Sequence, residues 1–272
     1  MKLYSSLICD IPMFYTRWLY NRFEDGYFVK KVAENKYVKF SIDHVENLIS
    51  FSRDFQKLID VFPSILKHCE SAEIVQEISF YEYFYQNILA SAKPLKSFRE
   101  ITRMVGKKHA SFSYGPIIKT DEITLDTHKN HLRMIFDILG NLCSKIYLDY
   151  NVGMSFCDSA NPYGCFSDDE KRELFIFAQE LFARKKIDVL RKPCLTHLPK
   201  DSIDMGEINM CQHGCKICQG INRSILKSYV MAMHDPKSPA LSGPVAHNLK
   251  TTLYKESLAD KQTTDAKQIK FL

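Results

Sequence analysis

Short apolar runs alternate with amphipathic helical stretches through the first 190 residues, and this alternation limits the folds open to the chain. Strand-like runs occur at 3–9, 45–51, 73–81, 109–114, 145–150 and 187–190, and most are followed by a segment of helical period. Pro12 opens a helix carrying Phe14, Trp18, Leu19 and Phe23 on one face, with Gly26 as its stop. A further helix over 55–62 is interrupted by Pro63. Residues 94–105 present Leu95, Phe98, Ile101, Thr102 and Val105 at helical spacing, and 125–139 present His128, Leu132, Ile135 and Leu139. Ser167-Asp-Asp-Glu170 has the form of a capping box before Leu174, Phe177, Ala178, Leu181 and Phe182. Residues 27–31 and 37–40 flank Asn35-Lys36 as a hairpin.

Strand–helix alternation with short connections implies parallel neighbours, because parallel strands need crossover helices. The expectation is an α/β fold: a (β/α) barrel-like or partial-barrel core of mainly parallel strands over 1–193. A cysteine-cluster segment over 194–240 and an irregular tail over 241–272 follow it. Apolar residues make up 45% of the chain and charged residues 25%, which excludes disorder and fibrous classes. No apolar stretch is long enough for a spanning helix, so no membrane partner is expected. The N-terminus carries no recognisable cleavage site, which points to a cytoplasmic protein in a reducing compartment. After residue 220 there are eight lysines and arginines against four acids, scattered and without interleaved aromatics, which supports nucleic-acid binding only weakly.

Six of the nine cysteines, at 9, 69, 143, 157, 165 and 194, are dispersed and read as small buried apolar residues. The other three form Cys211-Gln-His213-Gly214-Cys215-Lys-Ile217-Cys218, a C-x3-C-x2-C triplet. Three thiolates within eight residues can converge on one centre, and thiolates select zinc, copper(I) or iron–sulfur clusters. A structural zinc wants four protein ligands, for which Cys194, His197 or His213 are the candidates. A [4Fe–4S] cluster held by three cysteines leaves one iron open. The spacing alone leaves the cluster, a zinc site and unliganded thiols all standing.

The triplet resembles that of radical S-adenosylmethionine enzymes, and this resemblance implies a [4Fe–4S] cluster on Cys211, Cys215 and Cys218. It also implies S-adenosylmethionine on the open iron, Ile217 beside the cofactor's adenine, an electron donor, and a substrate that stays unknown. Its late position is similar to that of a family without assigned function, domain of unknown function 1848. Members begin with Ser-Arg-Arg-Thr-Asp-Ile-Pro and carry Asp-Ile-Gly, Cys-Pro-His-Gly-Cys-x-Tyr-Cys-Tyr-Ala and His-Asp-Pro-x-Ser-Pro towards the end. Here the corresponding residues are Asp10-Ile11-Pro12, Asp204-Met205-Gly206, the triplet, and His234-Asp235-Pro236-Lys-Ser238-Pro239. The chain departs from the pattern at Leu7 and Ile8, where the family has paired arginines, and at Phe51-Ser52-Arg53-Asp54-Phe55. It departs again at Ser113-Tyr114-Gly115-Pro116, where the family's Arg-Tyr-Asp-Pro has a base and an acid, and at Gln219-Gly220 after the last cysteine. These departures imply an eroded polar pocket beside a retained metal site, and so a catalytically degenerate or zinc-stabilised binding protein as the alternative.

Other polar residues have plainer readings. Asp10 reads as a helix cap, His128 as a packed core histidine, and His234-Asp235-Pro236 as a turn. Asp149 ends a strand and faces either a pocket or solvent, and the aromatics from Tyr81 to Tyr85 read as core. No phosphate-binding glycine loop and no serine nucleophile elbow is present.

Overall fold

The computed structural model describes residues 1–5, 7, 9–33, 36–43, 45–79, 92–150, 164–193, 198–206, 234–241 and 253–254. Among these residues, a seven-stranded sheet is built from β1 (Lys2–Tyr4), β4 (Val45–Ser52), β5 (Cys69–Ser79), β6 (Ala110–Gly115), β7 (Lys145–Leu148), β8 (Asp188–Arg191) and β9 (Ser202–Asp204). Its order is β8-β7-β6-β5-β4-β1-β9, and every pairing is parallel. The sheet curls into half a barrel, as the alternation in the sequence predicts. A separate small sheet, in the order β10-β3-β2, holds the hairpin β2 (Tyr27–Ala33) and β3 (Lys36–Ser41) together with β10 (Leu253–Tyr254).

The helices are α1 (Ile11–Phe14), α2 (Thr16–Asp25), α3 (Gln56–Ile59), α4 (Phe62–Leu66), α5 (Ala92–Val105), α6 (Leu125–Leu139) and α7 (Asp168–Ala183). Their ends are chemically specified. Ser167 and Thr124 both form capping boxes, with Glu170 and Thr127 reaching back. Gly26 closes α2 at φ 73°, a left-handed conformation that favours glycine. The helix expected from Pro12 to Gly26 breaks at Tyr15 into α1 and α2. Pro63 does not interrupt a helix but stands in the first turn of α4, where its missing N–H has no intrahelical acceptor to lose. The first strand ends at Tyr4, well short of Cys9.

Alternate residues of each strand face opposite ways. The outer face buries Leu3, Leu48, Ala72 and Ile74 against α2, α3 and α4, while Phe112, Ile146 and Leu148 pack on α6 and α7. The inner face carries a smaller cluster of Tyr4, Ile49, Phe51, Val75 and Tyr147. Polar side chains share that inner face, and they define the site.

Candidate functional site at the carboxyl edge of the sheet

With all seven strands parallel, their C-terminal ends open on one edge, the place where βα folds gather functional side chains. Three charged residues meet there from β5 and from the chain just beyond β7 and β8. Lys192 Nζ lies 2.7 Å from Glu77 Oε1 and 3.0 Å from Asp149 Oδ2, and 5.2 Å from the centre of the Phe51 ring. The lysine side chain is only 9% exposed. Burial alone would discharge it, but Asp149 and Glu77 more than offset that and hold its pKa above the usual lysine value. β6 lies between β5 and β7, and it ends in Ser113, Tyr114 and Gly115. A Cβ on Gly115 would lie 2.6 Å from the Cβ of Asp149, so the bare glycine leaves Asp149 its place.

Deeper on the same face, Glu73 is buried and fully engaged. Its Oε1 accepts from Ser111 Oγ and from the Tyr147 hydroxyl, each at 2.8 Å, and its Oε2 pairs with Lys145 Nζ at 2.7 Å. Burial, then the neighbouring Glu73 carboxylate, raises the pKa of Tyr147 and also that of Tyr4, so both phenols stay neutral. This network is an internal strut, whereas Glu77 and Asp149 above it are 22% and 14% exposed and reach the open mouth.

The two acidic motifs that the sequence points to are both placed. Asp10 accepts from Met13 N at 2.9 Å and Ser52 Oγ at 2.7 Å through Oδ1, and from Arg53 N at 2.8 Å through Oδ2. It caps α1 and ties that helix to the end of β4, as the capping reading expects. Asp204 ends β9, and its Oδ1 accepts from Leu7 N at 2.8 Å. Among the described residues its Oδ2 has no hydrogen-bond partner, and it lies 3.8 Å from Lys30 Nζ. Burial pushes the Asp204 carboxyl up to about 6, against the opposing pull of Lys30 and of backbone N–H groups.

His128 is a core histidine, as expected. Its Nε2 lies 2.8 Å from the Ile118 carbonyl oxygen, which fixes the proton there, so Nδ1 accepts from the Tyr114 hydroxyl at 2.7 Å. His131 Nδ1 then donates to the same phenol oxygen at 3.3 Å. Burial lowers the pKa of both rings, that of His128 to about 4. In the His234-Asp-Pro motif, Asp235 accepts from Lys237 N and Ser238 N, which makes the expected turn.

Cys211, Cys215, Cys218 and Ile217 lie outside the described residues, as do Cys157, Cys194, His197, His213 and the aromatics at 81–85. Among the described residues, no group of three or more His, Cys, Asp or Glu side chains is arranged to hold a metal. Cys9, Cys69 and Cys143 form no disulfide. Burial pushes the Cys69 and Cys143 thiols up to about 12, the wrong direction for a metal ligand. Cys165 departs from the expected reduced and buried state: it is exposed and disulfide-bonded, to a cysteine outside the described residues.

Position 115 carries no acid, but Asp149 occupies that space, with Glu77 and Lys192 beside it. Sequence reasoning missed Glu77 and Lys192. The available signal was the pair Glu73 and Glu77, charges at even spacing and so on one face of the strand.

The family model described as Domain of unknown function (DUF1848) matches residues 3–162, from β1 past β7. No curated protein and no solved structure matches the chain. No helix among the described residues is long and apolar enough to cross a membrane.

Proposed function

Because the chain belongs to the DUF1848 family, whose model spans more than half of it, we propose that it is an iron–sulfur protein of radical S-adenosylmethionine type. Its substrate would sit on the concave face of the half barrel. One observation carries this reading: β9 is parallel to β1, so it ends at the same edge as the Glu77–Asp149–Lys192 cluster. Four residues separate Gly206 from Cys211, a reach of at most about 18 Å over the five steps. That tether supports a site for the triplet near the edge where the strands end.

The donor set fits the group. Three cysteines in eight residues supply soft thiolates, and burial keeps Cys69 and Cys143 too basic to compete. Cys211, Cys215 and Cys218 would hold the cluster, with Ile217 beside the cofactor. When bound, the cluster and S-adenosylmethionine supply one-electron chemistry fed by an external electron donor. The chain's own residues do the rest. Phe51 and Tyr147 form an apolar wall that excludes water. Glu77 and Asp149 turn partly exposed carboxylates to the mouth, and Lys192 fixes both in place.

Anaerobic reconstitution with ferrous iron and sulfide tests the reading. Four irons per chain, lost when Cys211, Cys215 or Cys218 becomes serine, and cleavage of S-adenosylmethionine on reduction are the expected results. A cluster without cleavage marks a catalytically degenerate iron–sulfur protein. Stoichiometric zinc in colourless protein marks a zinc-stabilised binding protein, and either result overturns the proposed activity.

A further inference from the structure

The amino edge of the sheet, opposite the mouth, gathers cations that no acid answers. Lys107-Lys108-His109 leads into β6, and Arg184-Lys185-Lys186 leads from α7 towards β8. Ser144, just before β7, ties the two runs together. Its Oγ donates to the Lys108 carbonyl at 2.8 Å, and its own carbonyl accepts from Asp188 N at 2.9 Å. Burial raises the pKa of the neighbouring Cys143 thiol, and Lys107 and Lys185 both pull against it, so the two lysines share one neighbourhood. Lys107, Lys108, Arg184 and Lys186 are exposed. Among the described residues, none of these four, nor Lys185, makes an ion pair, although the acids Asp137 and Asp188 adjoin them. Acids and bases nearly balance over the first 220 residues, so this excess is local.

Two of the lysines are placed by features that a merely solvated loop does not need. Lys186 has φ 56°, at the left-handed position that closes α7, where Ile187 N reaches back to the Phe182 carbonyl at 3.2 Å and glycine is the ordinary occupant. Lys185 Nζ donates to the Phe136 carbonyl at 2.8 Å and lies 4.2 Å from the centre of the Phe136 ring. A Cβ on Gly140 would lie 2.7 Å from Lys185 Cδ, so the bare glycine after α6 makes room for the lysine. Helix C-termini favour cations, and α5 and α7 both end at this edge. That effect fades beyond the last turn, and Lys107 and Lys108 lie past Gly106.

We propose that this edge binds the phosphate backbone of a nucleic acid. A protein partner asks for an apolar interface core, and a bilayer for apolar side chains that enter it. Neither basic run contains an apolar residue. A chain of phosphates asks only for cations along its path. β6 and β8 are separated by β7 alone, which puts the two runs about 10 Å apart, the span of about three phosphates along one strand. Neither run carries Phe, Tyr or Trp, so the contact is to phosphates and not to stacked bases, and it reads no sequence. The edge lies at the opposite end of the strands from the Glu77–Asp149–Lys192 cluster, so the proposal does not rest on the metal reading.

The test is fluorescence anisotropy on the full chain with a labelled mixed-sequence RNA of about 20 nucleotides, used single-stranded and annealed to its complement. Binding of either form, weakening as salt rises, is expected. Lys107→Gln with Lys108→Gln should weaken it about tenfold or more at about 0.1 M salt, and flatten the slope of log affinity against log salt by about 1.5. Lys186→Gly should weaken it about fivefold while the thermal midpoint holds or rises, because glycine accepts φ 56° without strain. Lys57→Gln with Lys96→Gln removes two exposed cations from the opposite edge and should leave affinity within about twofold. No binding of either form at about 0.05 M salt overturns the proposal. So does equal weakening by the Lys57 and Lys96 pair, which would mark net charge alone. Wild-type affinity in both the Lys107 and Lys108 pair and Lys186→Gly overturns it too, and so does binding to phosphatidylserine vesicles without binding to RNA.

Discussion

Gly115 and Asp149 occupy one space: a Cβ built on the glycine would lie 2.6 Å from the aspartate's Cβ and 2.8 Å from its carbonyl oxygen. The main chain locks the two together, since Asp149 N donates to the Tyr114 carbonyl and Ile117 N to the Asp149 carbonyl, each at 2.9 Å. Gly115→Ala therefore has to move the end of β7, and Asp149 leaves Lys192 with it. The expected cost is about 2 kcal/mol or more, read as a lower denaturant midpoint. Gly115→Asp should be worse still, so restoring the acid that the resembled family carries there would not rebuild a site. Stability equal to wild type in Gly115→Ala would show that this contact is not a constraint.

Lys192 neutralises two carboxylates that share one mouth. Lys192→Met keeps much of the apolar stem against Phe51 but takes away the cation that Glu77 and Asp149 share. Removing one partner of a largely buried ionic group costs about 3 kcal/mol. The double variant Lys192→Met with Asp149→Asn should recover part of that loss, because one repelling charge goes with it. Equilibrium unfolding of the single and double variants measures the coupling, and strict additivity would argue that the three groups do not act together.

Much of this was legible in the residues, and the limits have physical causes. The capping box at Ser167 and the helix from Leu125 to Leu139 follow from local chemistry, and both stand where the periodicity puts them. The strand Ser202–Asp204 was silent, because three residues are too few to show a period of two. It exists through pairing with β1, a partner nearly 200 residues away. The pairing of Lys192 with Glu77 was silent for a like reason: 115 positions apart in sequence, they meet only once β5 and β8 take their places in the sheet. The His234-Asp-Pro turn was legible, but not that Asn21, Arg22 and Trp18 of α2 would donate to the carbonyls of Pro236, Lys237 and Ser238.

His128 and Asp204 titrate in overlapping windows with opposite signs. His128 has a folded pKa of about 4, below its unfolded value of 6.5. The unfolded chain therefore binds the proton first, and the stability it contributes above pH 6.5 is lost as pH falls towards 4. Asp204 has a folded pKa of about 6, above its unfolded value of 3.8. Here the folded chain binds the proton first, so stability is gained as pH falls through 6 and lost as it rises. Each effect is worth roughly 3 kcal/mol at full extent, and between pH 6 and 4 they largely cancel. Asp204→Asn should unmask the histidine, making the thermal midpoint drop more steeply with acid than in the wild type. His128→Gln should do the reverse. Parallel pH profiles for all three proteins would contradict both assignments.

The cysteines separate by reactivity. Cys69 and Cys143, with thiols pushed up to about 12, carry roughly one thiolate in ten thousand at pH 8. Iodoacetamide at that pH should leave Cys143, which is fully buried, unmodified in the folded protein and label it only after denaturation. Cys165 should resist until reduced, being already disulfide-bonded. Cys211, Cys215 and Cys218 should label in metal-free protein and be protected after reconstitution with iron and sulfide. Peptide mapping by mass spectrometry reads all of these together and identifies the partner of Cys165. The metal reading requires that partner to be a cysteine other than 211, 215 or 218, because a sulfur committed to a disulfide has no thiolate to give. A crosslink from Cys165 to any of the three would remove the donor set and the proposed function with it.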